Sequence, residues 1–241
     1  MNATLLIARR ELSGYFRTMT GYVIAALVLL LDGLLFQAFV LGNGEKLSAE
    51  VLANFFYISS GVTMGASIFI SMRLLAEERQ TGTLVLLTSS PVQDWEIVFG
   101  KFLSAFVFLA LTTLASVYIP ALIFVNGKVS FGHMASGYLG LLLLGAAALA
   151  IGTFGSALAR TQVLAAIFSG LLVVALIICW LLARVTEHPF NDVFVALALH
   201  GKHFPPFSEG AVHLRDVVYY VMVTYIALFG ATRVMESRRW K

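Results

Sequence analysis

The chain has 241 residues, 59% hydrophobic and only 12% charged, with a mean hydropathy of +0.89. A soluble domain carries about a quarter charged residues, so this composition excludes an ordinary water-soluble fold and points to an integral membrane protein. The net charge of +3 and pI near 9.1 do not indicate a nucleic-acid binder, because the basic residues gather into no groove or stripe.

In chain order, residues 1–19 come first. Leu5, Ala8, Leu12 and Phe16 recur at helical spacing, with Arg9, Arg10, Glu11 and Arg17 among them. This pattern predicts a helix lying in the membrane interface, its apolar face in lipid and its cations near the headgroups; the other reading is a continuation of the first span. The apolar run that follows is too long for a signal-peptide core, so no cleavable leader is expected. Six spans are predicted, from about Tyr22 to Leu41, Leu52 to Leu74, Phe102 to Val125, Met134 to Leu158, Val163 to Leu182 and Val217 to Val234. Each has roughly the 20 residues that a helix rising about 1.5 Å per residue needs to cross a ~30 Å core. The apolar runs are continuous rather than alternating, which favours helices over a barrel. No linker is visible, so residues 1–241 are expected to form one domain.

Orientation follows from the lysines and arginines. Arg9, Arg10, Arg17, Arg73, Arg79, Lys101, Arg160, Arg233, Arg238, Arg239 and Lys241 fall on one side, and Lys46, Lys128, Arg184, Lys202 and Arg215 on the other. Eleven against five places the first side, with both termini, in the cytoplasm.

Within the spans, Asp32 is the one carboxylate well inside the membrane, and an intramembrane ionisable group is by default a functional candidate. It lines an aqueous path, pairs with Arg184 if the helices meet, or takes a hydrogen bond from a neighbouring helix. Gly61 and Gly65, with Ser60, Ala66 and Ser67, make a small-residue stripe on the second span; Gly152, Gly155 and Ser156 make another on the fourth. Such stripes mean close backbone approach, within one bundle or across a dimer.

The longest polar interruption on the basic side runs from Glu77 to Lys101. Glu77-Glu78-Arg79-Gln80-Thr81-Gly82-Thr83 reads as a charged helix end broken at glycine. Pro91 and Asp94 then turn the chain, and Gly100-Lys101 starts the third span. Glu77, Glu78, Asp94 and Glu96 offer charge complementarity to a soluble partner; the alternative is an ordinary polar loop. On the other side, residues 185–216 form the one long connection. Its apolar piece, Val193 to Leu199, is too short to span and is expected to pack into the outer mouth of the bundle. His188, His200, His203 and His213 lack the convergent ligands of a metal site, so no metal is expected. Cys179 is a packing residue.

Three stretches carry a resemblance. Glu77-Glu78-Arg79-x-Thr81-Gly82-Thr83, then Ser90-Pro91-Val92 and Gly100-Lys101, is similar to the inner loop of ABC type-2 permeases, closest to the gliding-motility-associated branch. Ala8-Arg9-Arg10-Glu11-Leu12 near the start agrees with it. So do Arg215-Asp216-Val217-Val218-Tyr219 and Glu236-Ser237-Arg238-Arg239-Trp240 towards the end. One departure is that His188-Pro189-Phe190-Asn191 and His203-Phe204-Pro205-Pro206-Phe207 look like a single Ser-Pro-Phe-x-His-Phe unit of that branch, split by an insertion.

The resemblance implies an all-α subunit with six transmembrane helices, an elbow helix at 1–19 carrying Arg9, Arg10 and Glu11, and a cytoplasmic coupling segment at 75–101. In it, Glu77, Glu78, Arg79, Gly82 and Thr83 would face an ATPase subunit, and Pro91, Gly100 and Lys101 would return the chain to the membrane. Asp32, Gly61 and Gly65 would lie near the path or the interface with a second permease subunit. ATP and Mg would belong to the partner ATPase. Neither Gly100-Lys101-Phe102 nor Gly201-Lys202-His203 continues as a phosphate loop, which needs Ser or Thr after the lysine. The expected function is a non-enzymatic permease of an ATP-driven exporter in the cytoplasmic membrane. The rival is a membrane subunit that passes ATPase strokes to an accessory extracytoplasmic subunit. An ATP-independent channel or secondary transporter is disfavoured by the lack of paired intramembrane charges.

Overall fold

The computed structural model describes residues 3–40, 48–83, 92–126, 130–188 and 190–239. The fold is all-α, 85% helical, with no strand among the described residues. Six helical stretches are long and apolar enough to cross a membrane: Met19–Phe39, Ser48–Gln80, Asp94–Leu122, Phe131–Leu158, Gln162–Val185 and Leu214–Ser237. These are the six spans anticipated from the apolar runs, and they make a multi-pass membrane bundle.

The first helix, α1 (Ala3–Arg17), turns at extended Thr18 into α2 (Met19–Leu35), which continues as a π-helical turn, Phe36–Val40. Then come α3 (Ser48–Ser71) and the short α4 (Ala76–Gln80). The third span is α5 (Asp94–Ala115) followed by α6 (Tyr118–Asn126). After α7 (Phe131–Leu158) and α8 (Gln162–Val185) come two short helices, α9 (Phe190–Leu197) and α10 (Pro205–Ser208). The last helix is α11 (Leu214–Arg239). The end of the bundle carrying α1 and α4 is called proximal below, and the end carrying α10 distal.

The centre of the bundle is α7. Of its most apolar stretch 72% is buried, against 17% for α2 and α8 and 11% for α11. Its sequence explains this, because small residues let neighbours approach the backbone. A Cβ on Gly145 would sit 2.9 Å from Leu109 and 3.0 Å from Thr63, and one on Gly137 or Gly152 would collide with Phe56 or Ser71. The Gly152–Gly155–Ser156 stripe therefore marks close packing inside the subunit. The Gly61 and Gly65 stripe does not: a Cβ at either position meets nothing within 4 Å.

One sequence expectation is corrected here. The third span begins at Asp94 rather than Phe102, so Gly100 and Lys101 lie in the helix interior rather than at its start. The helix starts early because Glu96 Oε2 accepts the Gln93 amide at 3.1 Å and acidic residues suit a first turn. On α1, Thr4, Ile7 and Ala8 are buried, whereas Leu5 and Phe16 of the expected lipid-facing set are exposed. A Cβ on Gly100 would lie 2.9 Å from the Thr4 carbonyl and 3.0 Å from Ile7 Cβ, so this glycine is what lets α1 cross α5.

Candidate functional site

Between α3 and α4 the chain breaks helix without glycine or proline, at residues 72–75. The break is held from outside. Ser156 of α7 accepts the Leu75 and Ala76 amides at 3.1 and 3.0 Å and donates to the Met72 carbonyl at 3.3 Å. One hydroxyl thus satisfies backbone groups that a continuous helix would have paired internally. At its other end, α4 stops where Gly82 adopts φ +75°, the left-handed conformation of a helix C-terminus.

Charged side chains bind this short helix to its neighbours. Lys101 of α5 is buried, with 3% of its side chain exposed, and its Nζ lies 2.8 Å from Glu78 Oε1 and 3.3 Å from Glu11 Oε1. Arg10 closes on the same Glu11 oxygen at 2.9 Å. Burial acts to raise the Glu11 pKa, but Lys101 and Arg10 outweigh it and hold the carboxyl below its ordinary value. Arg73, within the break, grips Glu77 of α4 through two bonds of 2.8 and 2.9 Å. Arg79 donates to the Ala159 carbonyl at 2.8 Å, and Gln80 accepts the Gln162 amide at 3.3 Å, so α4 also meets the turn between α7 and α8. A cavity of about 320 Å³ opens between α1 and α4, lined among others by Glu11, Tyr15, Arg73, Glu77, Glu78 and Lys101. The arrangement ties α4 to α1 and α5 through one buried ammonium.

The structure thus brings together Glu11, Glu77, Glu78, Arg79, Gly100 and Lys101. Gly82 and Thr83 lie at the end of the same helix, with Thr83 Oγ1 2.9 Å from Thr81 Oγ1. Arg9 is exposed on α1. Pro91 lies outside the described residues. The sequence marked Ser156 only as part of a small-residue stripe and Arg73 only as one of the basic residues on this side. Asp32 is buried, and of its alternative roles the pairing with Arg184 is not seen, the Arg184 guanidinium lying over Trp180 at 3.7 Å.

A family model described as ABC-2 family transporter protein matches residues 7–193. The chain belongs to this family. It is a membrane permease subunit of an ABC transporter, and family membership implies association with ABC ATPase subunits. The match does not reach the gliding-motility-associated branch. Comparison with curated proteins finds no match.

The distal end of the permease is closed by its own chain. After α9 the backbone descends until the Leu199 amide donates to Leu176 of α8 at 3.3 Å. Leu176 precedes the end of α8 by nine residues, about 14 Å of helix rise. Leu199, Phe204 and Phe207 are wholly buried there, and the Tyr220 hydroxyl donates to the Leu199 carbonyl at 3.0 Å. His200 Nε2 and Ser60 Oγ are 2.7 Å apart, and burial pushes the His200 pKa down to about 4. His203 Nδ1 donates to Asp216 Oδ1 at 2.6 Å while its ring stacks on Tyr219. Burial outweighs this carboxylate and lowers the His203 pKa as well. Sequence reasoning weighed these histidines as metal ligands, and His203 also as part of a split Ser-Pro-Phe-x-His-Phe unit; nothing in it announced the pairing of His203 with Asp216.

Proposed function

We propose that the permease is half of a dimeric, ATP-driven exporter, and that α4 with the residues around it is where a separate ATPase subunit delivers its stroke. The observation that carries this reading is the buried Lys101 ammonium shared by Glu78 of α4 and Glu11 of α1. Glu77, Glu78, Arg79, Gly82 and Thr83 offer the contact surface. Gly100 and Lys101 pass the displacement into the third span, and α1 moves with them. ATP and Mg are bound by the partner. The orientation that serves this is the one given by the basic residues, with the proximal end and both termini in the cytoplasm. The uncovered Gly61 and Gly65 face, with nothing near either Cβ position, suits a central path or a second permease subunit.

Purification of the tagged chain from native membranes in mild detergent tests the reading. A stoichiometric nucleotide-binding subunit is expected to co-purify, and to be lost from Glu78→Lys and Gly82→Pro, the second because proline cannot take φ +75°. Both variants should still insert. Retained ATPase subunit in both refutes the docking role. An additional extracytoplasmic protein in the same eluate would favour transmission of strokes over transport.

A further inference from the structure

On the surface of the bundle at its proximal end, a cleft of about 430 Å³ runs between the first turns of α5 and the last turns of α11. Ala231 and Met235 of α11 pack with Ile7, Leu75 and Ile97, which fixes the cleft at this end. Its walls are aromatic. Trp95 and Phe99 come from α5, Tyr225 and Phe229 from α11, and all four are exposed. Trp95 Nε1 donates to Gln93 Oε1 at 2.5 Å, the placement of an indole at a membrane interface, with its ring on apolar ground and its N–H towards the polar side. Arg233 and Glu236 stand at the end of the cleft nearest the membrane surface, with Arg233 Nη1 donating to Glu236 Oε2 at 2.9 Å. The Arg233 guanidinium carbon also lies 4.9 Å from the centre of the Phe229 ring, a cation–π contact that holds the charge over the cleft. With 64% and 42% of their side chains exposed, both groups still present polar atoms outward. Tyr225 and Glu236 are eleven residues apart on α11, about 16 Å of helix rise and close to the depth of one leaflet of a ~30 Å core.

We propose that this cleft is a phospholipid site that selects a headgroup carrying both a phosphate and an ammonium. One acyl chain lies along Trp95, Phe99, Tyr225 and Phe229. The phosphate accepts from the Arg233 guanidinium, whose fork suits two phosphate oxygens, and the ammonium donates to the Glu236 carboxylate. Because the two charges are adjacent, a headgroup that is only negative gains Arg233 but is repelled by Glu236, whereas a phosphoethanolamine group satisfies both. A lipid suits the cleft better than a helix of another protein. Apolar walls one leaflet deep end in a charged pair at headgroup level, which is the order of groups along a single phospholipid.

Quenching of tryptophan emission by brominated acyl chains tests this. The full chain is reconstituted into vesicles of equal parts phosphatidylethanolamine and phosphatidylglycerol, with brominated chains on one lipid or on the other. The emission of Trp95 is the difference between the wild type and Trp95→Phe. Phosphatidylethanolamine should occupy the cleft about threefold more often than phosphatidylglycerol, the worth of one exposed ion pair. Glu236→Gln should abolish that preference. Brominated diacylglycerol, which lacks the phosphate, should quench less than brominated phosphatidylethanolamine at the same fraction, and Arg233→Gln should narrow this gap. Both substituted side chains are exposed, so the variants should fold as the wild type does. Equal quenching of wild-type Trp95 by the two phospholipids overturns the headgroup selection. A preference that survives Glu236→Gln overturns the place given to the ammonium, and a gap unchanged by Arg233→Gln overturns the place given to the phosphate. Trp95 emission untouched by any brominated lipid shows that protein fills the cleft and overturns the proposal.

Discussion

At the proximal end a lysine and glutamates from three helices join elements that are otherwise short or peripheral; at the distal end aromatic rings, two imidazoles and one aspartate fill a plug. Both are buried polar seams, and they respond to different variables. Lys101 is held by full charges at 2.8 and 3.3 Å, so it depends on both partners being present. The distal plug rests on Leu199, Phe204, Phe207 and Tyr220, each with no exposed surface, so it depends on volume and on its imidazoles staying neutral. The contrast suits the proposed function, in which one end receives a push and the other keeps a seal until the push arrives.

Removing the buried cation should have the largest effect. Lys101→Met leaves Glu11 and Glu78 facing each other without a counter-charge, and breaking a buried ion pair in this way costs about 3–5 kcal/mol. The variant should melt far below the wild type in detergent, and the triple change Lys101→Met, Glu11→Gln, Glu78→Gln should recover most of the loss. If Lys101→Met melts normally, the ammonium is not what ties α1, α4 and α5 together.

Acidification should separate the two ends next. His200 has an ordinary value of 6.5 and a folded value of about 4. Below pH 6.5 the unfolded chain takes up a proton that the folded plug refuses, so stability falls with pH down to about 4. His203 acts in the same direction. Glu11 behaves otherwise: its folded pKa lies below 4.5, so the stability it adds is intact above that value and is lost only as pH falls below it. Between pH 6.5 and 4.5 only the distal end should loosen, by at most about tenfold in opening per pH unit for each imidazole. Hydrogen exchange of residues 198–211 against residues 73–80 reads this directly. Equal acceleration at both ends would erase the distinction.

Ser156→Ala comes third. It removes the hydroxyl that serves the Leu75 and Ala76 amides, and leaving buried donors unpaired costs about 1–3 kcal/mol. Exchange should accelerate at residues 72–80 and not at the plug. Ser156 shows where sequence could and could not lead. The Gly152, Gly155 and Ser156 pattern announced close packing, because small residues at helical spacing have few other meanings. It could not announce that the serine would cap a break 80 residues away. Span number was legible because an apolar run of about 20 residues is a one-dimensional signal. The third span's start was not, since Asp94, Glu96 and Lys101 read as solvent-facing while local capping carried the helix past the apolar zone. The buried face of α1 was ambiguous because apolar residues lie on more than one side of it, and Gly100 on another helix selects which side is used. The motif Glu77 to Thr83 was legible as a unit through resemblance; its anchoring to Glu11 through Lys101 is a product of packing.

The smallest effect belongs to Arg73 and Glu77. Their side chains are 25% and 35% exposed, and exposed pairs contribute about 0.2–1 kcal/mol, with two-point arginine geometry near the top of that range. Arg73→Gln should therefore lower the melting temperature only slightly. The pair ties the break to the first turn of α4, so its loss should instead widen the range of angles α4 samples and weaken ATPase association more than fold stability. Salt distinguishes it from its buried neighbour. Raising ionic strength from about 0.1 to 1 M shortens the screening length from about 10 to 3 Å, which should abolish the difference between Arg73→Gln and the wild type. The Lys101→Met difference should persist, because a side chain with 3% exposure is out of reach of mobile ions. If both differences vanish in salt, Lys101 is solvated in the membrane and α1 and α4 are joined by a surface contact rather than by a buried one.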